Sequence, residues 1–130
     1  MTTILVCGGR DYLGYNLLKT TLEDLMNEIW LENDDDEVIT IIAGEATGAD
    51  FLAKVFYFDE WSDSDNVKYR GFPADWKQYG KAAGSIRNQQ MLDEGKPTLV
   101  VAFPGGRGTA DMVRRAEKTG IKVILVEEEI

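Results

Sequence analysis

The chain has no histidine, a single cysteine and only three prolines among its 130 residues. Without histidine there is no imidazole base, which excludes Ser-His-Asp and Cys-His catalysis and histidine ligation of a metal. One cysteine can build neither an internal disulfide nor a zinc site, and it fits a reducing, cytoplasmic setting. Cys7 itself reads as a small buried residue rather than a nucleophile, because no base is identifiable beside it. Neither a metal nor a resident cofactor is expected. No apolar run reaches the roughly 18 residues that a membrane span requires. The opening MTTILVCGGR lacks the basic and long apolar regions of a secretory leader, so none is expected.

Positive charge is also scarce: 14 Lys and Arg face 23 Asp and Glu, for a net charge of −9. A protein that neutralises many phosphates of duplex DNA carries the opposite balance, so duplex nucleic acid is not an expected partner. Two or three arginines around one small anion remain compatible with the acidic total. Chemistry must come from carboxylates, arginines, lysines, hydroxyls or backbone amides. A hydrophobic content of 44% over this length suits one domain, residues 1–130, with a real core.

What is present is an alternating pattern. TTILVCGG (2–9) reads as a buried strand ending in glycine, followed by a helix over 13–30 with Leu17, Leu18, Leu22, Leu25, Met26 and Ile29 on one face. LENDDDE (31–37) is a solvated acidic break. EVITIIAG (37–44) is a second strand, apolar throughout rather than alternating, as buried parallel strands are. A helix over 49–61, a strand over 67–72 and a helix over 81–95 stopped at Gly95-Lys96-Pro97 follow. A strand over 98–103, a helix over 109–120 closed by Gly120 and a strand over 121–126 complete the series. Strands alternating with helices predict a three-layer α/β fold, a doubly wound parallel sheet of order 3-2-1-4-5. In such sheets ligands bind beyond the carboxyl ends of the strands, where the order reverses.

Three glycine-bearing loops follow strands that this order makes neighbours: CGGRDY, AGEATGAD and FPGGRGT. Their convergence on one crevice is the main functional signal. In the third, Pro104, Gly105, Gly106, Arg107, Gly108 and Thr109 form a backbone cradle, with Thr109 expected to cap the next helix and leave its first amides free. Those amides and the helix dipole favour an anion, most simply a phosphate. Gly44, Thr47 and Gly48 have similar logic in the second loop, where Asp50 could cap the helix or bond a ribose hydroxyl. Glu45 could pair with Arg10 or act on a ligand. In the first loop Gly8, Gly9 and Arg10 are candidates, Arg10 as a phosphate clamp or as the partner of Asp11 or Glu45. In GFPADWKQYGKAAGSIRN (71–88), Phe72, Trp76 and Tyr79 could stack a base, cover the crevice or simply pack. Asp75 is a possible polar contact, and Arg87 and Asn88 could face the same pocket.

Taken together, CGGRDY, GEATGAD, FPADWKQYGKAAGSIRN and VVAFPGGRGTADMVRRAEKTGIKV resemble the YspA-like, cpYpsA-related branch of the SLOG superfamily. That superfamily groups Rossmann-like proteins related to the LOG phosphoribohydrolases and to DprA. The resemblance implies a pocket for a nucleotide or nucleotide derivative, often in a homodimer or higher oligomer, and many members occur in bacteriophages. The LOG enzymes carry P-G-G-x-G-T-x-x-E with an upstream Arg-Lys pair. Pro104 through Thr109 match the first six positions, Arg87 matches the arginine approximately, and Asn88 replaces the lysine. Met112 stands where the glutamate should be, with Asp111 one residue earlier and about 100° away on a helix.

Three functions are therefore weighed. The first is a sensor or sink for a nucleotide-derived small molecule, which in a phage would serve to sequester a host signal. The second is a nucleotide N-glycosidase of LOG type, for which Glu45, Asp50, Asp75 and Asp111 are available carboxylates. The third is an acidic partner-binding protein or DNA mimic, which would not need three glycine loops.

Overall fold

The computed structural model describes residues 1–127. Five strands, β1 (Thr2–Cys7), β2 (Ile39–Ala43), β3 (Val67–Gly71), β4 (Leu99–Ala102) and β5 (Lys122–Leu125), form one sheet. The order is β3-β2-β1-β4-β5 and every neighbouring pair is parallel, as the sequence predicts. Five helices connect them: α1 (Tyr15–Glu32), α2 (Ala49–Glu60), α3 (Trp76–Tyr79), α4 (Ala83–Gly95) and α5 (Arg107–Lys118). A single 3₁₀ turn, Gly80–Ala82, joins α3 to α4. The fold is a three-layer, Rossmann-like α/β sandwich.

Strand pleating explains the layers. Ile4 and Val6 point to one face and Leu5 and Cys7 to the other, because successive side chains alternate. On the first face Leu18, Leu22 and Met26 of α1 and Ala53 and Phe56 of α2 pack against Ile4, Ile39 and Ile41. On the second, Met91 and Leu92 of α4 and Met112 and Ala116 of α5 pack against Leu5, Ile42 and Val100. With helices covering both faces, β1 is buried along its whole length, which is why its sequence is apolar without alternation.

Several boundaries move. Helix α1 runs on to Glu32, two residues into the acidic stretch, and Leu17 lies at the edge of the core rather than within it. Helix α4 starts at Ala83 rather than at 81, after the 3₁₀ turn, but it ends at Gly95 as expected, with Lys96 as a left-handed C-cap. The most consequential shift is at α5, which begins at Arg107 with Gly106 as its N-cap. Thr109 is therefore not a cap. It lies in the first turn, with its hydroxyl packed against Gly105.

Candidate functional site

Because β1 lies between β2 and β4, the loops leaving these three strands meet backbone to backbone. The Gly9 amide donates to the Pro104 carbonyl at 2.8 Å, and the Gly9 carbonyl accepts from the Ala49 amide at 3.1 Å. Any side chain at Gly9 would crowd the Pro104 oxygen, at 2.9 Å from its Cβ. Gly48 has φ 75° and ψ −130°, a conformation reserved for glycine, and a Cβ there would fall on the Gly9 carbonyl. The first two glycine loops thus serve to bring three strand ends close together.

Above this junction lies a cleft of about 740 Å³. Gly8, Gly9 and Arg10 line it from the first loop, Asp50 from α2 and Trp76 from α3. Arg87 and Asn88 contribute from α4, and Pro104, Gly105, Gly106, Arg107, Gly108 and Thr109 form one unbroken wall, with Asp111 beyond them. Gly44, Glu45, Thr47, Gly48 and Asp75 do not line it. Lys81 and Tyr12 also line it, although no motif in the sequence singles them out. Lys81 belongs to a basic WKQYGK stretch whose chain direction decides its use, and Tyr12 carries no local signal. In a chain of net charge −9, the lining gathers four cations, Arg10, Lys81, Arg87 and Arg107, beside three carboxylates, Asp11, Asp50 and Asp111.

The start of α5 is the chemically open part of the wall. Gly106 supplies no side-chain cap, and the Ala110 amide, bonded to the Gly106 carbonyl at 3.0 Å, begins the helical ladder. The preceding amides of Arg107, Gly108 and Thr109 are the orphan donors of a helix N-terminus, at the positive end of its dipole. Around Gly106 and Gly108 the space a Cβ would enter is empty to 4 Å. Arg107 is exposed above them.

Asp111 is fully engaged. It accepts from Asn88 Nδ2 at 3.0 Å, Arg114 Nη2 at 2.8 Å and Arg115 Nε at 2.9 Å. Burial works against its charge, but these hydrogen bonds and the two guanidinium groups outweigh it and hold the carboxyl below its ordinary value. Asn88 also donates to the Gly108 carbonyl at 3.2 Å, tying α4 to the first turn of α5. Met112, at the position where the LOG motif carries glutamate, is 1% exposed and faces the sheet.

Arg87 donates through Nη1 to the Gly44 carbonyl and through Nε to Asn88 Oδ1, at 3.1 Å for the latter, so it braces the second loop against α4. Asp50 is buried at the cleft floor, where Oδ2 accepts from the Ala46 amide at 3.2 Å. Burial raises its pKa, against the opposing pull of that bond and of Arg87. Cys7, beside it, is 7% exposed and its pKa is pushed up to about 12 by burial and then by the Asp50 charge, so the thiol is inert.

Arg10 lies over the Trp76 ring, 5.2 Å from its centroid, a cation–π pair at the cleft mouth. Glu45 turns the other way, against Gly71, and pairs with Lys54 at 3.2 Å. Asp75 caps α3 by accepting from the Gln78 amide at 3.1 Å. Of the three aromatics after β3, Phe72 is buried in the core while Trp76 and Tyr79 stay exposed.

The family model for the YspA, cpYpsA-related SLOG family matches residues 2–79. The chain belongs to this family. The match runs from β1 through α3 and so covers the first two loops and Trp76. This SLOG chain is also similar to the Gene 61 protein of Mycobacterium phage D29, 38% identical over 88 residues, covering 66% of this chain and 70% of that protein. No helix among the described residues is long and apolar enough to cross a membrane.

Proposed function

We infer that this SLOG domain binds a nucleotide-derived small molecule in the cleft and acts as a sensor or sink for it. The observation that carries the reading is the uncapped start of α5, opening into a cleft that also presents Arg10, Lys81, Arg87 and Arg107. A phosphate there would take the free amides of Arg107, Gly108 and Thr109, with Arg107 closing over it. Arg10 and Trp76 at the mouth offer a cation and an aromatic face to the rest of the ligand. Kinship with a phage protein makes sequestration of a host signalling nucleotide in the cytoplasm the natural use.

Hydrolysis of the ligand's N-glycosidic bond is the second reading. Asp111 is held ionised by its three donors and Met112 faces the core, so neither supplies the LOG acid. Asp50 favours this reading: it faces the cleft, and burial moves it toward the protonated form that a general acid needs.

Thermal shift against AMP, ADP-ribose, NAD and cyclic dinucleotides, each mixture chromatographed after overnight incubation, separates the readings. Stabilisation with the ligand recovered unchanged supports the sensor or sink. Stabilisation with release of free base and ribose phosphate makes the protein a hydrolase. No shift with any of them contradicts the nucleotide pocket and favours use of the acidic surface.

A further inference from the structure

The cleft holds more positive charge than one phosphate uses. Asp111 is taken by Arg114 and Arg115, and the charge of Asp50 is set against Arg87. Among the described residues no ion pair holds Arg10, Lys81 or Arg107, and of the lining carboxylates only Asp11 is left to offset them. A phosphate monoester on the amides of α5 carries about −1.5 to −2 at pH 7 and calls on Arg107. Arg10 and Lys81 remain.

Arg10 is held where like charge opposes it. Burial depresses the pKa of Arg87, Asp50 opposes this, and the nearby Arg10 charge adds to it. Cations gathered in one cleft repel each other until an anion enters. The Trp76 ring keeps Arg10 in place: the guanidinium carbon lies 5.2 Å from the ring centroid. The ring in turn rests on the start of α4, where a Cβ at Gly84 would stand 3.5 Å from its Cη2. Gly9, next to Arg10 in the chain, bonds to Pro104, so the first loop runs beside the turn that opens α5. Lys81 reaches the same cleft from the 3₁₀ turn between α3 and α4. These two cations adjoin the α5 amides but come from other segments.

Granted a phosphate at the start of α5, on which this rests, we propose that Arg10 and Lys81 form a second phosphate seat beside it, so that the ligand is a nucleotide carrying a diphosphate rather than a single phosphate. Each cation then gains a charge-assisted hydrogen bond to the outer phosphate. Trp76 is a positioning residue, which holds the Arg10 guanidinium over the cleft.

Calorimetric titration of the full chain with orthophosphate, pyrophosphate and tripolyphosphate tests this without assuming a base. Wild type should bind pyrophosphate at least about tenfold more tightly than orthophosphate, and gain less than about threefold more with tripolyphosphate. Arg10→Gln and Lys81→Gln should each erode the preference for pyrophosphate, Arg10→Gln by about tenfold, with far smaller losses for orthophosphate. Trp76→Leu should follow Arg10→Gln, and Trp76→Tyr, which keeps an aromatic face, should retain most of the preference. Lys77→Gln removes an exposed cation outside the cleft lining and should change neither affinity. Arg10, Trp76, Lys77 and Lys81 are all exposed, and circular dichroism checks that each variant folds. Equal affinity for the two smaller anions, a further large gain with tripolyphosphate, a preference that survives Arg10→Gln, or an equal loss in Lys77→Gln would each overturn the second seat and leave the α5 site standing. Binding of none of the three anions would overturn both.

Discussion

Asn88 Nδ2 donates to Asp111 Oδ2 at 3.0 Å, and this bond joins α4 to the turn of α5 that lines the cleft. The same amide reaches the Gly108 carbonyl, so one side chain fixes both a carboxylate and the backbone of the anion-facing turn. Asp111→Asn should therefore cost about 1.5–3 kcal/mol at neutral pH, the range for hydrogen bonds to a charged group. Its folded pKa lies below the unfolded value, so its contribution is present above that value, about 3.9, and is lost as pH falls through the folded one. Melting curves from pH 7 to pH 3 should show the wild type losing its advantage over Asp111→Asn at the acid end.

Asp50 has the opposite sign. Burial raises its pKa, so its favourable contribution is present below the unfolded value and is lost as pH rises through the folded one. Asp50→Asn keeps an oxygen to accept the Ala46 amide but is never charged. It should melt higher than wild type at pH 7, with the difference shrinking as pH falls toward 4. A lower melting temperature at pH 7 would show that the buried charge is compensated by Arg87.

Gly48 and Gly120 both have positive φ, at 75° and 80°, but differ in surroundings. Gly48→Ala combines a forbidden conformation with a collision at the Gly9 carbonyl, and should cost about 2–3 kcal/mol. Gly120→Ala meets no atom within 4 Å, and should cost only about 1 kcal/mol. Urea unfolding of the two variants checks the difference.

The sheet was legible because burial on both faces demands unbroken apolar strands such as ILVC and IIA. The crossing order then followed from short right-handed connections. Three loops converging on one crevice followed from that order alone. The start of α5 lies two residues before the position the sequence predicts, since a serine or threonine is the usual cap signal and the capping Gly106 resembles loop. Glu45 is open in the sequence between Arg10 and a ligand, and it meets neither: at a φ of 61° it lies outside the cleft and pairs with Lys54. Asp111 looked like an available acid because its three donors come from 23 residues upstream and from the next turn of its own helix. Such partners are tertiary facts, invisible to local pattern.

The most direct test of anion binding at the start of α5 is calorimetric titration of the best-stabilising nucleotide into wild type and Gly108→Ala. Beyond its chain neighbours and the adjoining backbone of α5, nothing stands within 4 Å of the added methyl group, and alanine favours a helix over glycine by about 0.5–1 kcal/mol. The variant should therefore be at least as stable as wild type, yet bind at least about tenfold more weakly, because the methyl group enters the space the phosphate needs. Equal affinity in the two proteins would contradict an anion seated on these amides.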